Sequence, residues 1–230
     1  MRHLIDRVLE LQEDEISTEK DEETNHIETV PGDEELVELL ASLAPRIRVF
    51  GCGGCGCNTV QRLSDEGLLG GDHISGYAVN TDAQHLLRSR IEKKILIGRT
   101  ARGRGAGGDP EKGEKAAYES ERTLVNIVND CDLAFVTTGL GGGTGTGSAH
   151  VMARLAKASG ALTIAVVTYP FASEGTLRRQ NAEWGLERLR EVCDTVVVLP
   201  NEKLLEVEGV RDLPIEAAFR VADELLMRSI

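Results

Sequence analysis

Gly139-Leu140-Gly141-Gly142-Gly143-Thr144-Gly145-Thr146-Gly147-Ser148-Ala149 decides how this chain is read. Five of the seven residues from Gly141 to Gly147 are glycine and the other two are threonine. An apolar run, Leu133–Thr137, precedes the stretch and a helical pattern, Gly147–Ala158, follows it. Backbone N–H groups of such a loop, standing before a helix N-terminus, form a nest for an anion. The hydroxyls of Thr144 and Thr146 offer further donors. No lysine follows, so this is not a Walker A loop. A flexible linker is poorly placed between a buried strand and a helix.

Upstream, the apolar run Ile47–Phe50 leads into Gly51-Cys52-Gly53-Gly54-Cys55-Gly56-Cys57-Asn58, and a helical pattern spans Asn58–Glu66. Gly51, Gly53 and Gly56 satisfy G-x-G-x-x-G, the dinucleotide fingerprint. Further strand patterns fall at Tyr77–Asn80, Lys94–Ile97, Leu162–Val167 and Thr195–Leu199, and helical ones at Glu111–Asn129, Glu174–Val192 and Ile215–Ile230. This alternation predicts an α/β fold, a Rossmann-like parallel sheet with helices on both faces. Ligands of such sheets lie at the carboxyl ends of the strands. Two glycine loops at strand ends therefore imply a polyphosphate gripped from two sides, whereas an NAD-dependent oxidoreductase needs only the first. That rival reading also expects an acid near the end of the second strand, where Asn80 and Asp82 stand.

The stretch Gly141–Ser148, GGGTGTGS, resembles the signature of the tubulin/FtsZ family, and GCGGCGCN resembles that family's first nucleotide loop. Asn80–Gln84, Gly103–Pro110, Pro170–Gly175 with Arg178, Pro200–Leu205 and Ala218–Glu224 are similar to its remaining nucleotide-site segments, in order. The resemblance runs from Arg46 to Ile230 and looks closest to archaeal members. It implies a GTP-binding domain over 46–230, with GTP or GDP as ligand and Mg2+ on the phosphates rather than on the protein. Gly53, Gly54, Gly142, Gly143, Thr144 and Gly145 would hold the phosphates, and Ala106, Gly107 and Gly108 would face the γ-phosphate. Glu174 and Arg178 would lie at the ribose. Asn58, Asn201 and Asp223 would accept from the donors of guanine, with Phe219 stacking on it. Adenine lacks those donors, so GTP is expected over ATP.

The resemblance further implies a cell-division protein that polymerises head to tail and hydrolyses GTP at subunit junctions. The family's partners follow: other copies of the chain, and membrane-anchoring and division proteins. No catalytic residue is expected within this chain, because in the family an acidic loop beyond the last helix serves the next subunit. No such segment follows Ile230, and the natural protein is expected to continue past it. Little GTPase activity is expected of the chain alone. A regulatory GTP-binding module without hydrolysis is the third reading.

The 230 residues carry a net charge of −12. Glu13 to Glu38 hold twelve acids against Lys20, so that stretch accounts for −11 and the remainder for −1. Residues 1–45 are thus expected to form an acidic extension, with short helices over 1–11 and Asp33–Leu43 around a disordered 12–33. Such an arm repels nucleic acid. No apolar run reaches membrane-spanning length and no signal-like segment follows Met1, so a cytoplasmic chain is expected. The cysteines Cys52, Cys55, Cys57, Cys131 and Cys193 do not form a disulfide framework. Cys55 and Cys57 are read as buried or half-buried thiols, with a metal site on the C-x-x-C-x-C spacing of Cys52, Cys55 and Cys57 as the alternative. Cys131 and Cys193 are read as core, Trp184 as packing and His150 as a helix-surface residue.

Overall fold

In the computed structural model residues 39, 43–70, 73–206 and 215–230 are described, with side chains omitted at Leu205, Ile215, Glu216, Ala218 and Phe219. The expectations for residues 1–38 and 40–42 lie outside that range. The chain divides into two units, Met1–Pro45 and Arg46–Ile230, and the second carries the fold.

Six strands form one sheet: β1 (Ile47–Cys52), β2 (Ile74–Asn80), β3 (Lys93–Leu96), β4 (Leu133–Gly139), β5 (Leu162–Tyr169) and β6 (Thr195–Pro200). Every pairing is parallel and the order is β3-β2-β1-β4-β5-β6. This is the doubly wound order, whose direction reverses between β1 and β4. Successive strand residues face opposite layers. Phe50, Cys52, Val79, Val136 and Val167 are buried with residues of α3 (Pro110–Glu119), α4 (Glu121–Val128), α5 (Thr144–Ala158) and α6 (Thr176–Val192). Val49 and Ala78 are buried with α1 (Gly53–Asp65), α2 (Ala83–Arg88) and α7 (Ile215–Arg228). Helices therefore cover both faces, as the strand–helix alternation predicts.

Several boundaries differ from the sequence expectation. The helix expected from Asn58 begins at Gly53, and the one expected from Gly147 begins at Thr144. Low helix propensity makes these glycines look like loop. Their backbones nevertheless form the first helical turns, because tertiary contact leaves no room for side chains. The single helix expected over Glu111–Asn129 breaks at Ser120, whose Oγ accepts from the Gly98 N–H at 3.0 Å. Helix α2 is an addition, capped by Asp82, whose carboxylate accepts from the N–H groups of Gln84 and His85. The helix expected from Glu174 starts at Thr176, after a 3-10 turn over Ala172–Glu174.

His150 is not on the surface. It is buried between helices, its Nε2 is 2.9 Å from Glu114 Oε1, and its ring meets Trp184 edge-on at 5.6 Å between centroids. Burial pushes its pKa down. Trp184 packs as expected, with the Arg188 guanidinium over its ring at 3.7 Å from the centroid. Cys131 is buried and Cys193 packs half-buried against the same core, also as expected.

Helices α3 and α5 touch backbone to backbone. A Cβ on Gly147 would overlap Pro110 O and lie 2.5 Å from Glu114 N. Gly147→Ala is therefore expected to destabilise the domain by about 1–3 kcal/mol. Gly142→Ala, where a Cβ meets nothing within 4 Å, is expected to stay within roughly 0.5 kcal/mol of the parent. Urea unfolding of the two variants checks the contrast.

Candidate functional site

Because β1 and β4 are hydrogen-bonded neighbours, with Gly51 opposite Thr137, the turns that follow them emerge side by side. They meet at backbone distance. Gly53 has φ +71°, and a Cβ there would lie 2.7 Å from Gly145 N. A Cβ on Gly56 would overlap Thr137 O. Only glycine permits this approach. The first turns of α1 and α5, with their free N–H groups and positive dipole ends, thus open on one cavity of 630 Å³. That volume lies within the roughly 300–1,000 Å³ range of small-molecule sites.

The cavity gathers Gly54, Ala106, Gly107, Gly108, Gly142, Gly143, Thr144, Gly145, Glu174, Arg178, Asn58, Asn201 and Asp223. These are the expected site residues apart from two. Gly53 lies beneath the wall, supporting Gly145. The Phe219 side chain lies outside the described residues. Thr146 departs from the expectation that its hydroxyl serves the anion nest. It is fully buried, and its Oγ1 accepts from the Gly141 N–H at 2.9 Å, shaping the turn from behind. The Thr144 hydroxyl does reach the cavity, 2.6 Å from that of Thr81.

Asn80, Asp82, His85 and Thr168 also line the cavity; Asn80 and Asp82 belong to the Asn80–Gln84 segment noted in the sequence without a role of their own, whereas His85 and Thr168 were not expected. Asn80 and Thr168 sit at or next to the carboxyl ends of β2 and β5, where the sheet rule would have pointed. His85 had no such signal, since α2 was not expected. The carboxylate of Asp82, the acid an oxidoreductase would offer to a ribose, is engaged in capping α2.

The polar groups separate into two regions. Around the glycine turns the donors are peptide N–H groups. Arg178 is the one arginine or lysine lining the cavity among the described residues, and it donates to Glu174 Oε2 at 2.6 Å. Glu174 Oε1 accepts from the Phe171 N–H at 2.8 Å. At the far end stand acceptors. Asn201 is buried, and among the described residues its Oδ1 has no hydrogen-bond partner. Asp223 Oδ1 accepts from the Cys55 thiol at 3.5 Å. Burial holds the Asp223 carboxyl above its ordinary range, opposed by the charge of Arg62 and the Cys55 hydrogen bond. A buried acceptor without a donor is costly, so this end suits a ligand that presents N–H groups.

The three clustered cysteines face different surroundings. Cys57 Sγ points to Gly51 O and Val79 O, Cys55 to Asp223, and Cys52 toward Ser148. Burial pushes Cys52 and Cys57 up to about 12, and burial with the nearby Asp223 charge pushes Cys55 up as well. Among the described residues no three of His, Cys, Asp and Glu converge as metal ligands.

The fold and cavity together define a doubly wound α/β domain whose paired glycine turns face a polar, acceptor-rich recess. The model of the "Tubulin/FtsZ family, GTPase domain" matches residues 46–209. The chain is 51% identical over 210 residues to cell division protein FtsZ 1 of Methanocaldococcus jannaschii, covering 91% of this chain and 56% of that protein. It is 54% identical over 199 residues to FtsZ 1 of Archaeoglobus fulgidus, covering 86% and 53%. Among solved structures, an FtsZ dimer from M. jannaschii superposes with a TM-score of 0.81 at 51% identity, covering 87% of this chain and 57% of that one. The chain belongs to the tubulin/FtsZ family. It spans about half the length of the curated relatives it matches.

The thiols give a direct test of how closed the base of the site is. Thiolate is the reactive form, so Cys52, Cys55 and Cys57 are expected to react with iodoacetamide at pH 7.5 at least ~100-fold more slowly in the native chain than in urea. Peptide mass spectrometry over a time course reads this for each residue.

Proposed function

We propose that this domain binds GTP and GDP in the cavity between the two glycine turns. The observation that carries the reading is the meeting of the β1–α1 and β4–α5 turns in front of Asn201 and Asp223. Amides of Gly54, Gly142, Gly143, Thr144 and Gly145 hold the phosphates, and those of Ala106, Gly107 and Gly108 face the third one. Glu174 and Arg178 lie along the ribose. Guanine offers N1–H and an exocyclic amine to Asn58, Asn201 and Asp223, and Phe219 supplies a stacking surface. Mg2+, carried largely by water and phosphate oxygens, supplies the positive charge that the side chains of this pocket do not.

We place this domain in a cell-division polymer. Subunits join head to tail and GTP is hydrolysed at each junction, where a neighbouring subunit completes the site by positioning water. Other copies of the chain are the principal partner. Membrane-anchoring and division proteins are its further partners in this reading. The chain studied by itself would turn over GTP slowly.

Calorimetry on the 230-residue chain tests the first step. GTP and GDP are expected to bind, and ATP to bind on the order of 10⁴-fold more weakly, because its base leaves the acceptors unpaired. Equal affinity for ATP would defeat the reading. Asp223 adds a pH dependence with a defined sign. Its carboxyl titrates above the usual aspartate range, and only the ionised form is purely an acceptor. GDP affinity is therefore expected to fall as pH drops through that raised pKa. In Asp223→Asn the acidic limb of the profile should vanish and affinity be low throughout.

A further inference from the structure

Asn181 stands in the second turn of α6, outside the cavity lining, and no motif points to it. Its Nδ2 donates to Gly108 O at 3.0 Å and to Gly141 O at 3.3 Å. One amide group thus spends its two N–H bonds on two different turns of the site. Gly141 begins the turn after β4, with φ +105°. Gly108 ends the segment that faces the third phosphate in the reading above.

That segment has little else to hold it. Gly105, Gly107 and Gly108 all have positive φ, and a Cβ on Gly107 or Gly108 would meet nothing within 4 Å. Backbone bonds tie its start to the sheet, with Gly105 N–H donating to Thr81 O at 3.1 Å, and Ala106 O accepts from Asp109 N–H at 3.2 Å. Among the described residues, the Asn181 bond is the one side-chain hydrogen bond made to residues 105–108. The same helix carries Arg178 at the ribose side, and Arg178 O packs against Gly141.

We propose that Asn181 is a positioning residue that ties the third-phosphate segment to the β4–α5 turn and so sets the preference for a triphosphate over a diphosphate. The inference rests on the guanine-nucleotide reading of the cavity. A segment of three left-handed glycines loses conformational freedom when it closes on a ligand, and preorganisation removes that loss from the binding step. Only a ligand with a third phosphate engages the segment, so the benefit of the clamp falls on the triphosphate alone. An aspartate of the same size has no N–H to give and sets a carboxylate against two carbonyl oxygens.

The test uses the 230-residue chain and its Asn181→Ala and Asn181→Asp variants, titrated calorimetrically with GTPγS and with GDP in the presence of Mg2+. Loss of two modest hydrogen bonds is expected to weaken GTPγS about tenfold in Asn181→Ala and further in Asn181→Asp, with GDP changed less than about twofold. Hydrogen exchange of peptides covering 103–110 in the nucleotide-free variants is expected to rise, a readout independent of binding. Equal weakening of both nucleotides, or no change in either, overturns the clamp. If the parent chain binds neither nucleotide, the functional reading itself is lost, and the clamp's role in nucleotide preference with it.

Discussion

Two peptide turns lie against each other where no side chain fits, Gly53 on Gly145 and Gly56 on Thr137 O. Everything else about the cavity depends on that approach. It is possible because β1 and β4 are paired strands at the point where strand order reverses. Their turns must leave the sheet in the same direction, a strand spacing of roughly 5 Å apart. Two helix N-termini then converge, and their unpaired N–H groups give the positive end of the cavity on which the phosphate reading proposed above rests. A single Cβ at either glycine would push the turns apart and separate the two dipoles.

The two ends of the cavity use different chemistry for physical reasons. Phosphate carries diffuse charge on several oxygens, and a fan of peptide amides matches it without ordering long side chains. A purine base is read by its edge, which calls for directional acceptors on rigid supports. Asn201 begins the 3-10 turn after β6, and Asp223 projects from α7, which packs against α1. The neighbouring Glu224 is buried and paired with Arg62 at 3.6 Å and Arg228 at 2.9 Å. Those arginines pair with Glu224, and Arg62 also acts through its charge on the adjacent Asp223, which lines the cavity. The raised pKa of Asp223 reflects the cost of partly burying a carboxylate, and a ligand that donates to it offsets that cost.

The glycine-rich segments differ in what makes them glycine. Gly147 and Gly113 sit where helices α3 and α5 touch, so their constraint is steric and structural. Gly107, Gly108 and Gly142 have open space where a Cβ would go. The first two need glycine for their left-handed backbone, and all three leave the cavity wall made of peptide rather than side chain. Stability and binding are therefore separable by position along what looks in sequence like one composition.

The amino-acid sequence alone determined the alternation of strands and helices, the parallel sheet and the two glycine turns at neighbouring strand ends. Periodicity and glycine spacing are local properties that survive in a linear text. Three things waited for the tertiary structure. The glycine turns proved to be helix starts, because propensity disfavours helix there and only packing overrides it. Thr146 and His150 were turned inward, since which face of a helix is covered depends on neighbours such as Gly185 and Trp184 that are distant in sequence. And Asn181, which belongs to no motif, took its place between Gly108 and Gly141 because three segments far apart in the chain meet there, a juxtaposition that no local pattern encodes.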